Sequence, residues 1–358
     1  MIPWFDLLWL IVGFVGVTIG ADVFVSGASG IAKRAGVSPL LIGLTIVALG
    51  TSAPEVAVNV TAAFRGQTDM AIGNVVGSNV LNVLGVLGLC ALLRSIVVDA
   101  QLVRLDVPVM VGSALLLIVF ARNGVVAPVE AAVLLTVLLV YTAIQIRLAL
   151  KNRNRREDDD GEEGSSLVYC LAQIIFGVVL LVVGSDRLVL GATHLAKWWG
   201  LSDLVIGLTV IAVGTSLPEI ATSVAATLRG QGELAVGNVV GSNIYNILAV
   251  VGLTGLVSEG GLPVSDAALA FDLPVMAATC FACLPIFLTE HRIDRWEGGL
   301  FVGFYLAYIA YLLLATQRHA LADPFGLVML YFVVPLTALT LAVLTFRYLR
   351  RKEPSPTA

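Results

Sequence analysis

Residues 37–88 and 201–252 are nearly the same stretch written twice. At a constant offset of 164 they share 30 of 52 positions without a gap. GLTIVALGTSAPE faces GLTVIAVGTSLPE, and RGQTDMAIGNVVGSNVLN faces RGQGELAVGNVVGSNIYN. A generally apolar background does not explain this, because the shared residues include the rare polar ones. Asp22 recurs as Asp186 at the same offset, and LDVPVM from Leu105 resembles FDLPVM from Phe271. The chain must therefore fold as two like halves.

Those halves belong in a membrane. Of 358 residues, 58% are hydrophobic and 13% charged, with a mean hydropathy of +0.95. Soluble domains carry about 25% charged residues. Eleven apolar runs approach the roughly 20 residues that cross a bilayer. They lie near 4–29, 37–64, 70–93, 103–121, 128–149, 167–192, 201–228, 234–256, 268–288, 297–316 and 326–349. The first is a span and not a secretory leader, since Asp6 replaces the basic start and the apolar run is too long.

Five spans separate equivalent points in the two copies, and an odd number inverts the second copy. The expected fold is an all-α polytopic membrane protein, with two inverted five-helix repeats forming a ten-helix core. Residues 1–150 make the first repeat, 151–166 a charged linker, 167–316 the second repeat, and 326–349 an accessory C-terminal transmembrane helix. Many secondary transporters are built this way, with the substrate site between repeats near the midplane. An enzyme is not expected.

Of the 21 Lys and Arg residues, 16 fall on one side of these spans and 5 on the other. The positive-inside bias puts the N-terminus outside and the C-terminus in the cytoplasm of a multi-pass plasma (inner) membrane protein. The linker KNRNRREDDDGEEGSS is then cytoplasmic. It lacks the ligand spacing of an EF-hand and reads as a solvated connection. Membrane lipid is an expected partner. Nucleic acid is not, and no obligate protein partner is evident.

Each repeat carries a Pro and a Glu inside an apolar span, as Pro54 and Glu55 and as Pro218 and Glu219. Proline cannot donate a backbone hydrogen bond and clashes with the preceding turn. Exposed backbone at membrane depth is tolerated only where it lines a polar cavity. A broken helix is therefore expected in each repeat. Helical spacing aligns Thr51 with Glu55 and Thr215 with Glu219, each four residues apart. It also aligns Asn74, Ser78 and Asn82, and in the second copy Asn238, Ser242 and Asn246. Asn74 and Asn238 suit either ligation or a clamp on the broken helices.

This inventory is one of oxygen donors for a hard cation. Calcium takes six to eight oxygens in a flexible arrangement, and sodium fewer of the same kind. Transition metals favour Cys and His. His194, His291 and His319 all sit near span ends, and Cys90, Cys170, Cys280 and Cys283 read as buried inert thiols. Two facing carboxylates repel unless a cation or proton intervenes. One calcium ion balances both, as do two sodium ions, so the ions compete for one negative cage. Protons could take the same part, leaving a calcium/proton antiporter as the alternative. A cation channel would share the polar lining without needing two inverted copies.

Three further sets read as structural. Gly73 and Gly77, with Gly237 and Gly241, are expected to permit close helix contact. Asp22 and Asp186 are expected to pair with other side chains. Asp106 and Asp272, just ahead of Pro108 and Pro274, are expected to cap helices.

The paired GTSxPE and GNVVGSNxxN motifs resemble the alpha repeats of the calcium/cation antiporter superfamily, and most closely its prokaryotic sodium/calcium exchanger branch. The resemblance covers residues 1 to about 316. It implies ten core helices in inverted halves, broken second and seventh helices, and sodium entry that drives calcium out. The family's glutamates match Glu55 and Glu219. Its Thr and Ser ligands match Thr51, Ser52, Ser78, Thr215, Ser216 and Ser242. Calcium and sodium are then transported ions, and no cofactor is implied. One departure stands out. Members commonly carry an acidic residue where this chain has Asn246, matching Asn82. The cage then holds two carboxylates instead of three, and exchange is expected to be electrogenic. A potassium requirement, found in one branch, is not readable from these residues.

Overall fold

A computed structural model describes residues 4–64, 71–153, 166–199, 212–288, 291–316 and 321–351. Most of the expected linker lies outside the described residues, as does the first half of the span at 201–228. Among the described residues, nine helices are long and apolar enough to cross a membrane.

In the first repeat these are α1 (Trp4–Ala35), α2 (Pro39–Phe64), α3 (Ala71–Leu93), α4 (Leu102–Ala121) and α5 (Pro128–Arg153). In the second repeat they are α6 (Leu167–Trp198), α8 (Gly232–Val257), α9 (Ala268–Leu288) and α10 (Arg295–Thr316). Between α6 and α8 lies the shorter α7 (Leu217–Leu228). A final helical stretch, α11, runs through Ala322–Val328, Met329–Val333 and Val334–Arg351.

The polar-striped helices take the centre. In α3 and α8, 78% and 89% of the most apolar window is buried, against 33% in α1 and 22% in α6. Val80 and Val83 of α3 pack in one cluster with Val239, Ile244 and Ile247 of α8, and with Met110 and Leu117 of α4 and Met276 of α9. Lipid tails are as apolar as these side chains, so helix association here comes from packing and hydrogen bonding and not from water exclusion. Close approach matters accordingly. A Cβ on Gly13 of α1 would stand 2.3 Å from the backbone nitrogen of Leu188, and one on Gly184 of α6 would stand 2.7 Å from that of Val17. These glycines let α1 and α6 lie backbone to backbone.

Both predicted helix breaks are present, two residues ahead of each proline. Ser52 ends Ala48–Thr51 with φ −82° and ψ 0°, and Ser216 precedes α7 with φ −93° and ψ 11°. Pro54 and Pro218 have no N–H to offer the carbonyls of Gly50 and Gly214, so the turn flattens there. Wide π-type turns add further irregularity at matched places: Leu81–Leu87 and Asn246–Val251, then Leu102–Asp106 and Ala268–Asp272.

Two short ribbons interrupt the helical architecture. β1 (Ile96–Val97) pairs antiparallel with β4 (Arg292–Ile293), and β2 (Val125–Val126) with β3 (Leu262–Pro263). Each joins a loop of one repeat to a loop of the other. They lie at opposite ends of the bundle, because α4 separates β1 from β2. Two-residue strands leave no alternating pattern in a sequence, which is why none was expected.

Candidate functional site

The four-residue spacing brings the polar stripe of α8 against the break in α2. Thr51 Oγ1 donates to Asn238 Oδ1 at 3.0 Å and lies 3.3 Å from Ser242 Oγ. Just past the break, Ser52 Oγ donates to Glu219 Oε1 at 3.4 Å. Across the internal twofold, Ser216 Oγ donates to Ser78 Oγ at 3.2 Å. Every one of these bonds crosses from one repeat to the other. Thr51, Ser52, Glu55, Ser78, Asn82, Ser216, Glu219, Ser242 and Asn246 are all buried to 2% exposure or less. Thr215, the tenth expected ligand, is half-buried.

What these groups lack is as informative as what they hold. Neither carboxylate oxygen of Glu55 has a hydrogen-bond partner among the described residues. The same is true of Glu219 Oε2, Asn246 Oδ1, Thr215 Oγ1 and both amide atoms of Asn82. A buried polar atom without a partner costs about 1–3 kcal/mol, and more if charged. Two buried glutamates whose oxygens are left unpartnered are a strained arrangement for a protein alone and a suitable one for a cation. Among the described residues, no three His, Cys, Asp or Glu side chains gather as a metal-binding group. The negative charge therefore comes from two carboxylates, and the other donors are neutral oxygens.

Supporting residues hold the stripe in place. Asn238 Nδ2 donates to Ser223 Oγ at 2.9 Å and to the Glu219 carbonyl at 3.5 Å. With its oxygen on Thr51 as well, Asn238 acts as a clamp between α2, α7 and α8. Asn74, its counterpart, has no partner for Nδ2 among the described residues. Asn59 Nδ2 donates to the Glu55 carbonyl at 2.7 Å, which secures the first turn after the break. Asn79 and Asn243 also lie in this layer, fully buried. Ser223, Asn59, Asn79 and Asn243 were missed from sequence. Asn79 and Asn243 recur identically at the 164-residue offset, and Asn59 and Ser223 are matched polar positions four residues beyond Glu55 and Glu219.

The glycine expectation holds for one repeat. A Cβ on Gly237 would stand 2.6 Å from the Leu40 carbonyl oxygen, and one on Gly241 would stand 2.6 Å from the Ala48 Cβ. These two seat α8 against α2. Gly73 and Gly77 meet nothing within 4 Å among the described residues. The segment equivalent to their expected partner, 201–211, lies outside those residues.

The cap expectation for Asp106 and Asp272 fails. Asp106 is fully buried with helical dihedrals and makes no cap bond. A π-type turn carries the helix through this point, so no helix end is present to cap. Its Oδ1 instead accepts from Tyr141 Oη at 3.0 Å and from Gln145 Nε2. Asp272 likewise sits in a continuous helix and accepts from Tyr308 Oη at 3.2 Å. Each Asp ties two neighbouring helices of its own repeat together. Asp22 and Asp186 do form side-chain pairs, with Arg229 and with Arg187 respectively. Both are well exposed and away from the buried cage. All four cysteines are buried.

Comparison with known proteins follows the same outline. A family model described as sodium/calcium exchanger protein matches residues 5–147 and 169–314. The chain is 38% identical over 321 residues to the putative antiporter CaxA of Alkalimonas amylolytica, covering 86% of this chain and 98% of that one. It is 36% identical over 345 residues to the sodium/calcium exchanger MaX1 of Methanosarcina acetivorans, with the same coverage of 86% and 98%. A solved structure of the sodium-calcium exchanger NCX_Mj, soaked with 2.5 mM Na+ and 0.1 mM Ca2+, aligns with a TM-score of 0.74 at 31% identity. That alignment covers 87% of this chain and 99% of the other.

Proposed function

Because the chain belongs to the sodium/calcium exchanger protein family, we propose that it exchanges sodium for calcium across the membrane by alternating access, using the cage at the repeat interface. One observation carries this reading: two fully buried glutamates, one from each inverted repeat, leave carboxylate oxygens unpartnered among the described residues, and Ser52 of one repeat bonds Glu219 of the other. Buried carboxylates in a membrane mark ion pathways. Glu55 and Glu219 supply the charge. Thr51, Ser52, Ser78, Thr215, Ser216 and Ser242 supply hydroxyl or backbone oxygen, and Asn82 and Asn246 supply amide oxygen.

Calcium binding neutralises the two carboxylates, and two sodium ions do the same. Both cannot be held at once, so release of one ion at one face makes room for the other. A further sodium at Ser52 or Ser216 gives the loaded site a net positive charge, and exchange becomes electrogenic. The two matched segments, 5–147 and 169–314, support division into two repeats joined by a linker. The charge bias supports an outside N-terminus and cytoplasmic C-terminus in the plasma membrane.

Flux into sealed vesicles tests the proposal. Calcium uptake is expected only when sodium is loaded on the opposite face. Uptake down a calcium gradient alone indicates a channel. Uptake driven by a pH gradient without sodium indicates proton coupling.

A further inference from the structure

Two asparagines that supply no oxygen to the expected ion set sit where the repeats cross. Asn79 Nδ2 donates to the Asn243 carbonyl at 3.4 Å, and Asn243 Nδ2 returns the bond to the Asn79 carbonyl at 3.2 Å. This exchange obeys the internal twofold. The adjacent bond breaks it. Asn246 Nδ2 donates to Asn79 Oδ1 at 3.1 Å. Its mirror image, Asn82 to Asn243, is not made: Asn243 Oδ1 and both amide atoms of Asn82 have no partner among the described residues.

The bond fixes which end of an amide the ion meets. An amide oxygen attracts a cation, whereas its NH2 group repels one. With Nδ2 anchored on Asn79, the buried and unpartnered Oδ1 is the atom that Asn246 offers to the cage. It follows Ser242 by four residues, on the α8 stripe that faces the break in α2. The Asn79 amide is held in turn by its own Nδ2, which donates to the backbone carbonyl of Asn243, a group that a side-chain change at 243 leaves in place, and lies 3.5 Å from Met276 Sδ. A freed Asn246 amide has no such constraint and can turn its NH2 inward.

We propose that Asn79 is a positioning residue of the ion site: it holds the Asn246 amide oxygen-forward and so sets the calcium affinity of the cage. This rests on the reading of the cage given above. The competing explanation is that Asn79 only cross-links α3 to α8, and Asn243 provides the control. Asn243 makes the same cross-repeat bond to backbone but holds no ligand side chain.

The test is calcium titration of the purified full chain in lipid nanodiscs, read by calorimetry. Asn79→Ala and Asn246→Ala are each expected to weaken calcium binding roughly five- to tenfold, the scale of one hydrogen bond near a charge. The double variant is expected to bind no more weakly than Asn246→Ala alone, since Asn79 acts through that residue. Asn243→Ala is expected to stay within about twofold of the parent, because it holds no ligand. If Asn79→Ala does not accumulate folded, Asn79→Ser carries the same comparisons. A loss in Asn243→Ala equal to that in the Asn79 variant overturns the proposal in favour of cross-linking alone. So does a double variant whose loss is the product of the two single losses. A parent protein that gives no calcium heat overturns the cage itself before any variant is compared.

Discussion

Glu219→Gln changes the cage by one charge and almost nothing in shape. Glu219 is fully buried, accepts one bond from Ser52 and leaves Oε2 unpartnered. Gln keeps an amide oxygen there, so the loss is electrostatic. Two unit charges about 4 Å apart attract by about 4 kcal/mol at an effective dielectric of about 20. Divalent calcium therefore loses about 8 kcal/mol and sodium about 4 kcal/mol from the missing carboxylate. The amide oxygen that Gln keeps still attracts either ion in proportion to its charge. If it offsets half of each loss, calcium affinity falls by about 4 kcal/mol, roughly a thousandfold, and sodium affinity by about 2 kcal/mol, roughly thirtyfold. The assay is uptake of radioactive calcium into sodium-loaded vesicles over a wide calcium range, with gel filtration to show that the variant is folded. Half-saturation within about tenfold of the parent refutes the placement of Glu219 at the ion, since a thousandfold loss is expected of a direct ligand. An equal loss for both ions refutes the charge argument, because a divalent ion must suffer more.

Three other outcomes follow from the same geometry. Gly241→Leu drives a side chain into Ala48 and the Leu44 backbone; overpacking costs about 1–3 kcal/mol, so a lowered melting temperature and lost transport are expected, whereas Gly112→Ala, with nothing within 4 Å among the described residues, leaves both unchanged. Asn246→Asp adds a third carboxylate beside Glu55 and Glu219, and a proton then competes for the cage; calcium uptake measured against pH is expected to fall more steeply on the acid side than in the parent, and a superimposable profile places residue 246 outside the cage. If three sodium ions exchange for one calcium, an inside-negative potential of 100 mV favours sodium entry by about 2.3 kcal/mol, roughly fiftyfold in the equilibrium calcium ratio; vesicles with clamped potentials measure this, and voltage-independent exchange removes the excess-sodium cycle.

The duplicated motifs made the broad plan legible because rare residues recur in them. Pro54 and Pro218 marked the helix breaks to within two residues, since a missing N–H acts locally. The four-residue spacing of Ser242 and Asn246 gave the stripe on α8. Pairings that depend on how distant helices are rotated were not legible. Asp106 beside Pro108 looked like a helix cap because local sequence cannot reveal that a π-type turn continues the helix through it. Its partners, Tyr141 and Gln145, lie 35 and 39 residues away on another helix. Asn79 sat beside a recognised serine, yet its carbonyl bond to Asn243 exists only because α3 and α8 cross there. The asymmetry between Asn246 and Asn82 is equally invisible, since the two residues are identical in type and position within their repeats.

The ribbons at the two ends of the bundle bear on whether either half can stand alone. Each pairs a strand from one half with a strand from the other, and among the described residues neither half pairs its own strands. A half expressed by itself would present four unmatched strand residues and half of each cross-repeat bond. Backbone groups of that kind need a partner wherever water is excluded. The halves are thus alike in sequence but not separable as folding units, because each completes the other's hydrogen bonding at both ends of the bundle and in its centre.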